Sequence, residues 1–173
     1  MNILTRCSGF TSLTSVGGSF TLRDNTVMVN CNGLAGLTSV PGSLVIEDNH
    51  ALASTDGFDS ITAVGGDLAI RNTLFLQLDG FRHLTSVGGS VYIEDNPLLV
   101  HVNDLINLNY IGGDLTIDGQ LALTSVAGFC SLQSLASVTV TDNNPVLCCE
   151  SLRRIFGQYL YPYTTTGVFH YDS

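Results

Sequence analysis

Tryptophan is absent from this 173-residue chain, charged side chains make up only 12% of it, and six basic residues stand against fifteen acidic ones. The formal charge of −9 repels nucleic acid and anionic membrane and leaves no basic stripe for either, so nucleic-acid partners are set aside. No stretch approaches the roughly 18 uninterrupted apolar residues of a spanning helix, despite a mean hydropathy of +0.31, and no membrane insertion is expected. The opening MNILTRCSGF lacks a signal-type apolar run, so no targeting segment is visible. A Gly-rich phosphate loop, a nucleophile elbow and a paired-carboxylate constellation are also missing. His50, His83, His101 and His170 fall at unrelated places in the chain and indicate no multi-His metal or relay site. The chain therefore reads as non-enzymatic, with no cofactor and no metal. It also has no Asn-x-Ser/Thr sequon, which argues against a heavily glycosylated animal ectodomain.

Hydrophobic residues (45%) and 18 glycines are abundant and evenly spread, so uncharged Ser, Thr, Asn and Gly must make the surface. That is the composition of a regular β stack. Self-similarity confirms a repeat: aligned on a Gly-Gly pair, residues 9–32, 33–56, 57–79, 80–103 and 104–127 are five copies, and 128–148 is an eroded sixth. The period is 24, or 23 in the third copy, where counting places the missing residue after Asn72. After the glycines the apolar residues alternate: Phe20/Leu22, Leu44/Ile46, Leu68/Ile70, Val91/Ile93, Leu115/Ile117 and Val138/Val140. Period two puts each pair on one face of a short strand. A second ridge, Leu13/Val16 and its counterparts through Leu108/Ile111, precedes the glycines. A 24-residue unit cannot bury two ridges alone, so neighbours stack, with like strands pairing in parallel at about 4.8 Å.

Residues after each strand form an expected internal amide ladder of Asn25, Asn49, Asn72, Asn96 and Asn143, with Gln120 the exception, because an inward amide satisfies turn backbone of two coils. The Gly-Gly corner is expected to need either positive φ or close backbone approach. The Asp-Asn pairs are read as turn stabilisers rather than calcium ligands.

The strand-plus-Asn pattern Leu44-x-Ile46-x-x-Asn49 or Val91-x-Ile93-x-x-Asn96 resembles a leucine-rich repeat. The fuller LTSVGGxLxIxDNPxL unit more closely resembles receptor L-domain repeats of bacterial and protist surface proteins, over about residues 3–148. The resemblance implies a mainly β, right-handed solenoid of parallel strands that acts in adhesion, recognition or wall architecture at a cell surface, with no shared catalytic residues to carry over. The domain plan is then a partial repeat at 1–8, six repeats at 9–148, and a cap at 149–173. Within the cap, Leu152, Ile155, Phe156, Tyr159 and Leu160 share one face of an expected helix over 151–161, ended by Pro162. The aromatic tail beyond it is expected to lie against the last coil.

Counting back 24 residues from Val27, Met28 and Cys31 lands on Ile3, Leu4 and Cys7, so the chain starts mid-coil and reads as a segment of a longer protein. Cys7 and Cys31 are stacked equivalents about 5 Å apart, within disulfide range; two buried thiols would fit the same column. Five Cys is an odd count, and a bond from Cys130 to Cys148 or Cys149 would leave one thiol free.

Three outward columns define the strand face. Their candidate binding residues are Arg23, Glu47, Arg71, Tyr92, Glu94, Thr116 and Asp118, with the charges alternating in sign along the stack. The expected partners are a protein or glycan at a surface. A rival reading makes the chain a subunit packed in a larger complex, with end-to-end contact at the uncapped first coil around Ile3, Leu4 and Phe10. Another rival is ice binding or surface hydration through the hydroxyl column Thr14, Thr38, Thr62 and Thr85.

Overall fold

The computed structural model describes residues 5–144 and 171–172. In chain order the strands are β1 (Phe20–Arg23), β2 (Ser39–Val40), β3 (Leu44–Glu47), β4 (Ala63–Val64), β5 (Leu68–Arg71), β6 (Ser86–Val87), β7 (Val91–Glu94), β8 (Tyr110–Ile111), β9 (Leu115–Asp118), β10 (Ser137–Thr141) and β11 (Tyr171–Asp172). They form two sheets. The wide one runs β1-β3-β5-β7-β9-β10-β11, and the narrow one β2-β4-β6-β8.

From β1 to β10 the wide sheet is parallel, and like residue pairs with like. Phe20, Leu44, Leu68, Val91, Leu115 and Val138 make one column; Leu22, Ile46, Ile70, Ile93, Ile117 and Val140 make the next. These are the alternating pairs seen in the sequence, and from Leu44 onward both columns are buried. The narrow sheet stacks Val40, Val64, Val87 and Ile111 in the same way. A third side is held by parallel pairings of Arg6 with Asn30, and of His101 with both Gln77 and Ser125. Each coil therefore turns through three straight segments around one continuous core. Short 3-10 turns, such as Asp56–Phe58 and Ala127–Phe129, drop a large side chain into it. Phe58 and Phe81 stack there with ring centroids 6.0 Å apart. The cap helix expected over 151–161 lies outside the described residues. Beyond them β11 pairs antiparallel with the last coil, Ser137 opposite Asp172 and Val138 opposite Tyr171.

The inner polar column is Asn25, Asn49, Thr73, Asn96, Gln120 and Asn143. Asn49 Nδ2 donates to Leu22 O (2.7 Å) and Glu47 O (2.8 Å), one carbonyl in the preceding coil and one in its own; its Oδ1 accepts the Asn25 N–H at 3.1 Å. Thr73, fully buried, stands where Asn72 was expected: its N–H and hydroxyl both donate to Asn96 Oδ1, at 3.0 and 2.6 Å. Asn72 instead occupies the preceding position, at φ 47°. That position is left-handed in every coil: Asp24, Asp48, Asp95, Gly119 and Asp142 share it, with φ between 47° and 68°. Asp and Asn tolerate this region better than other side chains. The Asp-Asn pair thus has two jobs, Asp bending the chain out of the strand and Asn plugging the bend from within.

The Gly-Gly corner needs close approach rather than positive φ. A Cβ on Gly65 would fall 2.1 Å from Pro41 O of the preceding coil, and among the described glycines only Gly119 has a positive φ. Parallel pairing at the strand spacing brings coil backbones that close.

Candidate binding face

The outward face of the wide sheet carries all seven predicted residues, aligned by strand register. Its first column, Ser19, Ser43, Asp67, Ser90, Asp114 and Ser137, is a side-chain-to-backbone ladder. The Ser43 N–H donates to Ser19 Oγ (3.0 Å), Asp67 N–H to Ser43 Oγ (3.0 Å), Ser90 N–H to Asp67 Oδ1 (2.8 Å) and Asp114 N–H to Ser90 Oγ (3.0 Å). Only a short side chain with an oxygen near Cβ fits that gap, which is why the column holds Ser and Asp alone.

The third column is charged, but it is not a continuous ladder. Arg23 pairs with Glu47, and Arg71 with Glu94; Glu47 and Arg71 are register neighbours yet form no ion pair among the described residues. Asp118 instead accepts the Thr141 hydroxyl. The expected alternation therefore resolves into separate pairs, because an Arg side chain has one best-aligned carboxylate and turns its planar head to it. Arg71 also lies over the Tyr92 ring, its Cζ 4.6 Å from the centroid, a cation–π contact.

Between these polar columns runs the middle one: Thr21, Val45, Ala69, Tyr92, Thr116 and Thr139. Ala69 points outward yet is only 2% exposed. It sits in register between Val45 and Tyr92, a small residue flanked by larger ones. The centre of the face is thus a shallow apolar hollow of Val45, Ala69 and Tyr92, bounded by Ser43, Asp67 and Ser90 on one side and Glu47, Arg71 and Glu94 on the other. Period-two alternation puts Val45 and Ala69 outward in this column but does not reveal the hollow. A lone Ala among larger outward residues was the available signal.

On the narrow sheet, Thr38, Thr62 and Thr85 are exposed, but the hydroxyls of the last two turn back: Thr62 Oγ1 donates to Thr38 O (3.2 Å) and Thr85 Oγ1 to Thr62 O (3.0 Å). The third side exposes Val27, Val29, Leu74, Leu76 and Leu98, an aliphatic stripe absent from the sequence-based expectations. Cys7 and Cys31 are joined by a disulfide with Cα atoms 4.6 Å apart, and Met28 packs its sulfur against both. Cys130 is a free, exposed thiol rather than half of the expected second bridge. Its expected partners Cys148 and Cys149 lie outside the described residues.

A family model described as the receptor L domain matches residues 30–154, well over half of the chain. The chain belongs to the receptor L domain family. No curated protein and no solved structure gave a significant match. The match takes in every coil of the wide sheet after β1, so the hollow and its rim lie wholly within the L domain.

Proposed function

We propose that this L domain is a non-enzymatic recognition module at a cell surface, binding a protein partner through the wide sheet. The hollow of Val45, Ala69 and Tyr92 within a polar rim carries this reading, because a desolvated apolar centre with a hydrated rim is the anatomy of a protein-binding patch. The Cys7–Cys31 disulfide supports an oxidising, extracellular setting. A right-handed coil accords with the hand of nearly all parallel crossover connections. Glycan binding and adhesion are narrower variants that the same face allows; packing within a larger complex is a rival reading that would use the first coil around Phe10 instead. Ice binding has less support, since the Thr62 and Thr85 hydroxyl protons are already given to backbone carbonyls.

The test is a binding screen of the labelled chain against secreted ectodomains and glycans, repeated with Tyr92→Ala and Thr116→Arg. Ligands of the wide sheet should be lost by both variants. Hits unaffected by either would refute binding at this face.

A further inference from the structure

Charge is concentrated on one side of the coil. Glu47, Asp67, Glu94, Asp114 and Asp118 stand on the outward columns of the wide sheet, and the left-handed bend that follows each strand adds the four Asp of its column. Against these nine of the fifteen acids stand two of the six bases, Arg23 and Arg71, so this face carries −7 of the formal −9. Both arginines are already engaged, with Glu47 and Glu94. By contrast, strands β2, β4, β6 and β8 hold no charged side chain, and neither do the third-side stretches 26–30, 50–54, 74–77, 97–101 and 121–125.

The fold does not require these carboxylates. In the first column a Ser hydroxyl accepts the next N–H as well as an Asp oxygen does: Asp67 N–H reaches Ser43 Oγ at 3.0 Å, and Ser90 N–H reaches Asp67 Oδ1 at 2.8 Å. At the bend, Asn72 (φ 47°) and Gly119 (φ 68°) hold the same conformation without charge. Stacking the acids has a cost instead. Glu94 and Asp118 are register partners, and like charges directly opposite one another destabilise a sheet. The charge around the hollow is therefore dispensable to the backbone and unfavourable to the free protein.

We infer that the partner of the wide sheet is a cationic protein segment, which sets one apolar side chain into the hollow of Val45, Ala69 and Tyr92 and its Lys or Arg side chains against the surrounding carboxylates. The inference rests on the wide sheet as the binding face and adds the chemistry of what it binds. Charge complementarity selects this occupant: a second copy of the chain would bring −9 toward a face of the same sign, and an acidic partner would bury carboxylates beside its own. The hollow supplies the desolvated anchor site, while the carboxylates steer encounter and make association fall with added salt.

Fluorescence anisotropy of the full chain with a labelled arginine-rich peptide carrying one central leucine tests this, beside its leucine-to-serine and arginine-to-glutamate counterparts. The expected order is arginine-leucine tightest, arginine-serine weaker and the glutamate peptide not bound, with the first affinity falling about tenfold or more between about 50 and 300 mM NaCl. Two triple variants remove equal charge at different places. Asp67→Ser with Asp95→Asn and Asp142→Asn keeps the ladder acceptor and the bend chemistry, and should weaken binding about tenfold or more at unchanged Tm. Asp56→Asn with Asp59→Asn and Asp104→Asn, on the turns before the narrow sheet, should leave affinity within about twofold. Equal effects of the two triples, or a glutamate peptide that binds as well as the arginine one, would overturn the inference. Arginine-peptide binding that survives Val45→Arg would refute the wide sheet as the binding face; ligands that are lost by Val45→Arg but are acidic or indifferent to salt would refute the cationic partner alone.

Discussion

The wide and narrow sheets are built from the same coils in the same parallel register, yet they join those coils differently. On the wide sheet, side chains link each coil to the next: the Ser/Asp ladder, the Arg23–Glu47 and Arg71–Glu94 pairs, and the stacking of Arg71 on Tyr92. On the narrow sheet the links are threonine hydroxyls, each donating to a backbone carbonyl of the preceding coil. Strand length accounts for the contrast. Four-residue strands present two outward columns, the middle and the charged one, both able to vary beside the fixed Ser/Asp column that precedes them; two-residue strands leave one outward position between corners. A surface able to vary without disturbing the core therefore exists on the wide side, and that is where recognition is expected.

The largest effect should come from beneath the wide sheet. Ile70→Asp buries an unpaired charge in a fully buried column and should cost at least about 4 kcal/mol, enough to unfold several coils together. Thr62→Asp, exposed on the narrow sheet, should stay within about 0.5 kcal/mol. Equal losses in chemical denaturation would show that the assignment of inside and outside is wrong. Next is the inner ladder: Asn49→Leu strands two carbonyls and an N–H of neighbouring turns, and about 3 kcal/mol of destabilisation is expected.

Smaller effects separate the two outer faces. Asp67→Ala removes the acceptor for the Ser90 N–H and should lower stability by about 1 kcal/mol, measured as a shift of the urea midpoint at unchanged m-value. Thr62→Val, which leaves the backbone bond to Thr38 O in place, should do about half as much or less. In the opposite direction, Gln120 Oε1 is buried without a partner among the described residues. Gln120→Asn restores the side chain that accepts from the neighbouring coil elsewhere in the column, and should gain about 1 kcal/mol. A loss would mean that the longer side chain fills space an Asn leaves empty.

The core columns were legible in the sequence because period-two alternation within a 24-residue repeat leaves one way to bury both ridges. Side-chain roles were less so wherever two residue types share a chemistry. Asn72 was assigned to the inner ladder by residue type, but Thr73 supplies the hydroxyl there and the deletion falls one position later. The column Asp24, Asp48, Asn72, Asp95, Gly119, Asp142 carried the clue: a Gly among Asp and Asn marks a left-handed bend. The charge alternation was read correctly as a column and incorrectly as a ladder, since sequence gives neighbours but not which carboxylate an Arg head turns toward. The hollow at Ala69 depends on how far Val45, Arg71 and Tyr92 extend over it, which no periodicity encodes.

An arginine scan across both faces, read against one ligand from the binding screen, tests the central claim most directly. Val45→Arg and Thr116→Arg place bulk and charge at the hollow and beside it; Thr38→Arg and Thr85→Arg do the same on the narrow sheet. Binding through the wide sheet predicts that the first two weaken affinity about tenfold or more, while the second two leave it within about twofold, all four folding normally. The reverse pattern, or equal losses on both sides, would contradict it.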